Sequence, residues 1–390
     1  MTRLAYLVSH PIQYQAPLLR RIAREPGIDL HVLFMADFSV RAYQDEGFGV
    51  EVKWDVPLLE GYSHEFLPQR GEPAKNPEEI RNFGLGKVLN RDRLDVLWTH
   101  GYATRTSLSA LLLARTRGLP TLVRSENQRT GVIRGRLGGV KDRAVRQVLK
   151  LPTAFLTVGS LNADYYRELG VSKDRMFSFP YAIDNDRFRQ QALDAAPSRE
   201  ALRAELGLEP GRPVILFASK FLKRKRAIEL IHAYKALVAR GGARKPYLLF
   251  IGDGEQRPEL EAANDDPESI RLLGFKNQTD LPRYFDLCDV FVLPSDAEQW
   301  GLVINEVMCA GKAVIVTDEV GCHADLVRPG ENGHVYPVGD VPALFAALED
   351  VLSSPERSAA MGKRSWEIVS AWDFEADVKG LKDAIAAVRN

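Results

Sequence analysis

Glu298 and Glu306 stand with seven residues between them in the stretch Ser295-Asp-Ala-Glu-Gln-Trp-Gly-Leu-Val-Ile-Asn-Glu306. The first precedes an expected helix and the second lies inside it. That helix reads apolar almost all round, through Leu302, Val303, Ile304, Val307, Met308 and Ala310, so it is expected to be buried. A carboxylate among such neighbours is costly unless something hydrogen-bonds it. A pair of ligand hydroxyls is a candidate partner for Glu306. The spacing by itself carries little, because Glu367 and Glu375 repeat it in the C-terminal helical region. The helix is expected to begin near Gly301. The backbone N–H groups of Gly301, Leu302 and Val303 then point beyond its N-terminus and form an anion site by geometry.

Three further strand-to-helix junctions in the second half carry residues of interest. Ser219-Lys-Phe-Leu-Lys-Arg-Lys-Arg226 follows the apolar run Val214–Ala218. There Lys220 and Lys225 suit a diphosphate beside a helix N-terminus, or the segment is a solvated basic loop. Gly252-Asp-Gly254 follows Tyr247–Ile251; its glycines allow close backbone approach to a ligand or simply make a turn. Gly274-Phe275-Lys276-Asn277 lies before a helix expected near Thr279, and its backbone edge suits a nucleobase or an ordinary helix start. In the first half, Ser9-His10-Pro11 follows the first apolar run. His10 reads as catalytic or as a loop cap, and Pro11 fits the first turn of a helix. The site lacks the glycines of a dinucleotide fingerprint, which argues against a nicotinamide enzyme. Glu126, in Arg124-Ser-Glu-Asn127, and His100 each end a strand-like run. Asp184-Asn-Asp186 is either part of a divalent-cation site or a helix cap with a first-turn acid.

The elements that position these residues follow from the hydrophobic pattern. Short apolar runs alternate with helical stretches such as Ala227–Ala239 and Pro342–Leu352. The runs are Leu4–Val8, Leu30–Phe34, Val96–Trp98, Thr121–Val123, Phe155–Val158 and Met176–Phe179, then Val214–Ala218, Tyr247–Ile251, Ile270–Leu273, Val290–Leu293, Ala313–Val316 and His334–Tyr336. This is β-α alternation, so parallel sheets covered by helices are expected. A dozen strands are too many for one sheet, and 390 residues suffice for two doubly wound domains. The boundary is placed in the polar Gln190–Arg199 stretch, with domains over 1–189 and 190–373.

Composition bounds the class. The 45% hydrophobic and 27% charged residues fit a globular protein, and Lys+Arg 52 against Asp+Glu 52 gives no hint of nucleic acid. Three cysteines, Cys288, Cys309 and Cys322, form no CxxC and read as reduced, buried residues of a cytosolic protein. The opening run is too short for a signal peptide and suits a buried strand. No run reaches the ~18 apolar residues of a spanning helix. Arg134, Arg136, Lys141, Arg143, Arg146 and Lys150 make a basic stretch over 134–150. It is either a peripheral contact with anionic membrane or a solvated helix face.

Taken in order, these junctions resemble the retaining nucleotide-sugar glycosyltransferases of family 4, which have the GT-B fold. The E-x7-E motif of that family looks like Glu298 to Glu306, and its basic pair looks like Lys220 and Lys225. Gly252-Asp-Gly-Glu and Leu273-Gly-Phe-Lys-Asn fall in the expected order. Ser9-His-Pro-Ile-Gln-Tyr-Gln resembles bacterial polysaccharide-assembly members. The resemblance implies an α/β architecture of two Rossmann-like doubly wound domains facing each other across a cleft, with the C-terminal helix 374–390 crossing back to the first. It implies that Lys220 and Lys225 neutralise a leaving diphosphate in place of a metal, so that no cofactor is needed. Glu306 holds the ribose hydroxyls and Glu298 the sugar hydroxyls; Gly301, Leu302 and Val303 hold phosphates and sugar, with Phe275, Gly252 and Gly254 lining the donor site. His10 and Glu126 fall on the acceptor side. Three departures stand out: Ser9-His10-Pro11 replaces a Gly-Gly loop, Lys220 replaces an arginine, and Glu126 replaces a histidine.

The expected activity is transfer of a sugar from a nucleotide donor to a glycan or lipid-linked glycan, at the inner face of the plasma membrane. A non-catalytic subunit that binds a nucleotide sugar or glycan, a nucleotide-sugar epimerase, and a metal-dependent transferase using Asp184 and Asp186 are the rival readings.

Overall fold

A computed structural model describes the chain apart from residues 38–39, 41–42, 46–49, 53–56, 70–79, 129–138, 242–244 and 390. Two compact units account for it: Met1–Tyr43, Val56–Asp184 and Asp373–Asn390 form the first, and Gln44–Asp55 with Asn185–Trp372 the second.

The first unit carries β1 (Thr2–Val8), β2 (Ile28–Phe34), β5 (Ser63–Phe66), β6 (Val96–His100), β7 (Thr121–Ser125), β8 (Ala154–Thr157) and β9 (Met176–Ser178) in a seven-stranded sheet of order β5-β2-β1-β6-β7-β8-β9. A separate two-stranded ladder joins β3 (Tyr43–Asp45) and β4 (Val50–Val52). Every pairing described in the large sheet is parallel, with Leu4 opposite both Leu30 and Val96. Alternation along β1 sends Leu4, Tyr6 and Val8 into one buried cluster and Ala5 and Leu7 into another. A parallel sheet covered on both faces requires this near-continuous apolar pattern. The helix Phe374–Arg389 contributes Val378, Leu381, Ala384 and Ile385 to the first of these clusters. The segment furthest along the chain therefore completes the core of the segment nearest its start.

The second unit holds β10 (Val214–Ala218), β11 (Tyr247–Ile251), β12 (Ile270–Leu272), β13 (Val290–Leu293), β14 (Ala313–Thr317) and β15 (Gly333–Tyr336) in the order β12-β11-β10-β13-β14-β15. It too is parallel, with Ile215 opposite Leu248 and Val290. The helices Ala227–Arg240 and Val341–Val351 pack Leu230, Ile231, Leu344 and Leu348 onto Ile215 and Phe217. Asp340 caps the second of these helices by accepting from Ala343 N at 2.9 Å.

Four local expectations change. The stretch Gln190–Arg199, expected to hold the domain boundary, is helical: Asn185–Ala195, a 3-10 turn at Ala196–Ser198, then Arg199–Glu205. Its Ala, Arg and Gln residues are good helix formers, and a proline in the first turn of a helix costs little. The division accordingly falls between Asp184 and Asn185, where Asn185 Nδ2 donates to Val369 O at 2.9 Å and Trp372 O at 3.2 Å. Pro11 precedes its helix, which begins at Gln15 with Ile12 O accepting from Gln15 and Ala16 N. The helix expected near Thr279 begins at Leu281 after a turn closed on Asn277 O. Finally, β5 was absent from the apolar runs because Ser63-His-Glu-Phe66 is a largely exposed edge strand.

Candidate functional site

In an open parallel sheet the strand order reverses at one place, and the loops leaving the carboxyl ends of the two strands there frame a crevice. In the second unit this place lies between β10 and β13. The loop after β10 carries Lys220 and Lys225, and the loop after β13 carries Glu298. The two loops are joined by charge. Lys225 Nζ is ion-paired with Glu298 Oε2, and Arg224 Nη1 stands 3.6 Å from the same oxygen. Lys225 is 7% exposed. Burial pulls its ammonium below the usual lysine range, and Glu298 opposes that pull; Arg224 and Lys220 add to the lowering.

Backbone bonds stitch these loops further. Asp296 N donates to Arg224 O at 2.8 Å, and Arg226 Nη1 reaches Asp296 Oδ2 at 3.4 Å. Arg226 itself is in the left-handed region at φ 51, uncommon for a non-glycine residue and a mark of local strain. On the far side, Glu298 N donates to Glu319 O at 3.2 Å and Glu298 O accepts from Gly321 N at 2.9 Å. Gly301, at φ 88, is the N-cap of the helix Leu302–Cys309. Its first-turn N–H groups therefore point out of the helix start close to Glu298. Glu306 lies a turn inside that helix and is 2% exposed. Beside it Asn305 is fully buried and accepts from Trp300 Nε1 at 2.9 Å.

The glycine junctions join the same edge of the sheet. Gly252 N donates to Gly274 O at 3.0 Å, Phe221 N to Asp253 O at 2.8 Å, and Gln256 N to Phe221 O at 2.9 Å. Lys220, Gly252, Gly254 and Phe275 thus sit on loops that are bonded to one another. Gly252 has a structural reason of its own: a Cβ there would lie 1.9 Å from Ser219 O. The second glutamate pair is scattered instead. Glu367 is near the end of the helix Pro355–Val369, whereas Glu375 opens the helix of the first unit and pairs with Arg21 at 2.6 Å.

The reversal in the first unit lies between β1 and β6. His10 follows β1, and His100 ends β6. His10 Nδ1 is 2.9 Å from Ser9 Oγ, and burial pushes the imidazole down to about 4. His100 Nε2 is 3.7 Å from Glu126 Oε1, and Arg124 Nη1 is 3.3 Å from that same oxygen. Tyr6 OH donates to Gln15 Oε1 at 2.8 Å and lies 2.9 Å from His100 Nδ1. The structure thus brings Glu126 to the edge where His10 stands, and it adds Arg124, Tyr6 and Gln15. The signal for Arg124 was a charge inside an otherwise apolar strand. Nothing local marked Tyr6 or Gln15, whose roles depend on strand order.

Asp186 lies in the first turn of the helix Asn185–Ala195, where an acid favours the helix dipole. Among the described residues no three His, Cys, Asp or Glu side chains are grouped so as to hold a metal ion. Cys288, Cys309 and Cys322 are buried and not disulfide-bonded. Of the basic stretch, Arg134 and Arg136 lie outside the described residues. Lys141, Arg143 and Arg146 are exposed on the helix Val140–Val148, and Lys150 follows it, as on an ordinary solvated helix. Among the described residues no helix is long and apolar enough to cross a membrane.

Two doubly wound units, each a parallel sheet covered by helices, are the architecture of the GT-B class of fold. Residues 12–182 match the glycosyl transferase 4-like domain, and residues 198–367 match glycosyl transferases group 1. Each half of the chain is thus similar to a glycosyltransferase domain. The chain is similar to the D-inositol 3-phosphate glycosyltransferase of Nocardia farcinica, 28% identical over 56% of this chain and 49% of that one. It is also similar to the lipopolysaccharide core biosynthesis glycosyltransferase LpsE of Rhizobium meliloti, 31% identical over 45% of this chain and 50% of that one. The chain thus spans about half the length of each of these relatives. In fold it matches the Anabaena protein HepE, solved in complex with UDP and glucose, with a TM-score of 0.71, 16% identity, and 99% and 100% of the two chains covered.

Proposed function

We propose that the chain transfers a sugar, with retention and without a metal, from a nucleotide-diphosphate sugar to a glycan or lipid-linked glycan. The setting is bacterial surface polysaccharide synthesis, on the cytoplasmic face of the plasma membrane. The observation that carries the reading is the Lys225–Glu298 pair at the strand-order reversal of the second unit, next to the N-terminus of Leu302–Cys309. The relative in lipopolysaccharide core biosynthesis and the UDP complex of HepE support it.

Cleaving the glycosyl bond builds positive charge on the sugar and negative charge on the departing diphosphate. Lys220, Lys225 and the N–H groups at Gly301, Leu302 and Val303 stabilise that negative charge as it develops. Glu298 receives the sugar hydroxyls and Glu306 the ribose hydroxyls, while Phe275, Gly252 and Gly254 flank the nucleotide. The C1–oxygen bond breaks with its electron pair going to the diphosphate. The acceptor oxygen bonds C1 on the same face, and its proton passes to a leaving phosphate oxygen. Glu126 and His10 act on the acceptor side. Because Lys225 is already paired, donor binding must share its charge between Glu298 and phosphate.

Calorimetry with UDP, GDP and their sugar conjugates, followed by transfer assays with the donor that binds, tests the reading. Binding that Lys225→Ala weakens, and transfer that Glu298→Ala removes and a chelator leaves intact, are expected. Absence of nucleotide binding, or full transfer by both variants, overturns it.

A further inference from the structure

Arg124 is 3% exposed inside β7, a cation in a buried parallel strand. Such a charge is costly unless its donors are taken up. Its Nη1 serves two groups at once, His100 Nδ1 and Glu126 Oε1, each at 3.3 Å. The guanidinium lies over the Tyr181 ring at 4.4 Å and near the Phe179 ring at 5.8 Å. The titratable groups around this cluster come from every element packed on it. They are Tyr6 of β1, His10 beyond it, His100 of β6, Glu126, Tyr166 of the helix Ser160–Glu168, Tyr181 after β9, and Asp377 of the helix Phe374–Arg389. Burial lifts the Asp377 carboxyl well above the usual carboxylate range. Glu126 is therefore the carboxylate that balances Arg124.

The groups around His100 also favour one tautomer of its imidazole. Its Nδ1 faces Arg124 Nη1 and, at 3.0 Å, Gln15 Nε2. A guanidinium and an amide nitrogen only donate, and the Tyr6 hydroxyl, 2.9 Å away, can turn its proton to Nδ1 or to Gln15 Oε1, so an unprotonated Nδ1 is the form that takes up the most of these donors. The neutral ring then holds its proton on Nε2, the atom 3.7 Å from Glu126 Oε1. Burial, then the charge of Arg124, then His10 push the imidazole well below the usual histidine range.

We propose that Arg124 is a positioning residue. Its guanidinium holds the Glu126 carboxylate in place and keeps His100 a neutral Nε2–H donor, so the pair presents one hydrogen-bond acceptor and one donor to a hydroxyl of the acceptor sugar. The bearing on the reaction rests on the acceptor-side role of Glu126 given above; the protonation pattern does not.

Nitrogen NMR of protein labelled at histidine, with His100 assigned through His100→Gln, reads both tautomer and titration. Wild type is expected to show an unprotonated Nδ1 and a ring that stays neutral through ~6.5, where a free imidazole titrates. In Arg124→Met the ring titrates at higher pH than in wild type; Arg124→Lys, which restores the charge, returns it toward the wild-type pattern. If Arg124→Met does not fold, the wild-type spectrum still decides. A protonated Nδ1, or charging at the ordinary pH, overturns the proposal, as does unchanged titration in a folded Arg124→Met. Transfer by Glu126→Gln separates the two layers: full transfer removes the acceptor-side reading, and with it the part of Arg124 in the reaction.

Discussion

Replacing Lys225 by methionine removes one charge of a largely buried pair and keeps the bulk of the stem. The side chains of Lys225 and Glu298 are 9% and 19% exposed. Breaking a buried pair while leaving its partner charged costs about 3–5 kcal/mol. Glu298 keeps Arg224 at 3.6 Å, but Arg224 is 47% exposed. At that distance the attraction is about 5 kcal/mol at an effective dielectric of about 20 and about 1 kcal/mol in water, and the exposure of Arg224 puts it toward the lower figure. The expected cost of Lys225→Met is therefore at the low end, about 3 kcal/mol. Removing both charges with Lys225→Met/Glu298→Gln recovers most of that loss, because a buried pair exchanged for uncharged groups is often close to neutral. Glu298→Gln in turn leaves the buried Lys225 without its partner, so a double-mutant cycle should report a coupling of at least about 3 kcal/mol. Urea unfolding of wild type, both single variants and the double variant measures it. Tryptophan fluorescence suits the second unit, where Trp300 stacks on Trp372 at 5.7 Å between centroids. Additive single effects, or a Lys225→Met variant as stable as wild type, would show that the two loops at the reversal are not joined by this pair.

Other outcomes are expected from the same physics. Leu381→Ala, at a fully buried site on the C-terminal helix, should cost about 2–5 kcal/mol in thermal or urea unfolding; a negligible loss would detach that helix from the first core. Gly252→Ala should lower nucleotide affinity and stability together, because its Cβ would overlap Ser219 O at 1.9 Å; crystal structures of the variant would show the displaced loop. His10 titrates near 4 in the fold against about 6.5 unfolded. The unfolded chain therefore binds the extra proton first as pH falls. Stability present above about pH 6.5 should decline toward pH 4 by about 3 kcal/mol, and His10→Gln should remove that part of the slope in unfolding measured across pH.

Much of the scaffold was legible because parallel strands buried on both faces are written as apolar runs. Each run that became β10, β11, β13 or β14 lies within a residue of the strand observed. The candidate donor residues were legible for the same reason: each stands where such a run ends and a helix begins. Residues whose pattern competes with another reading were not. Ser63–Phe66 is too polar to mark a strand by itself and is one through its parallel pairing with β2. Gln190–Arg199 reads as the boundary for its polar residues and proline, yet it continues the helix that Asn185 anchors to Val369 and Trp372.

The sequence by itself determined the α/β class, the two halves, and the kinds of residue at each strand end, because burial and backbone geometry impose local periods on the chain. Tertiary structure alone decided which of those ends meet. Lys225 and Glu298 are 73 positions apart and pair because β13, not β12, lies beside β10. Arg124, His100 and Gln15 converge for a similar reason, since β6 returns to the far side of β1. Strand order is set by how whole faces pack, and no local run of residues encodes it.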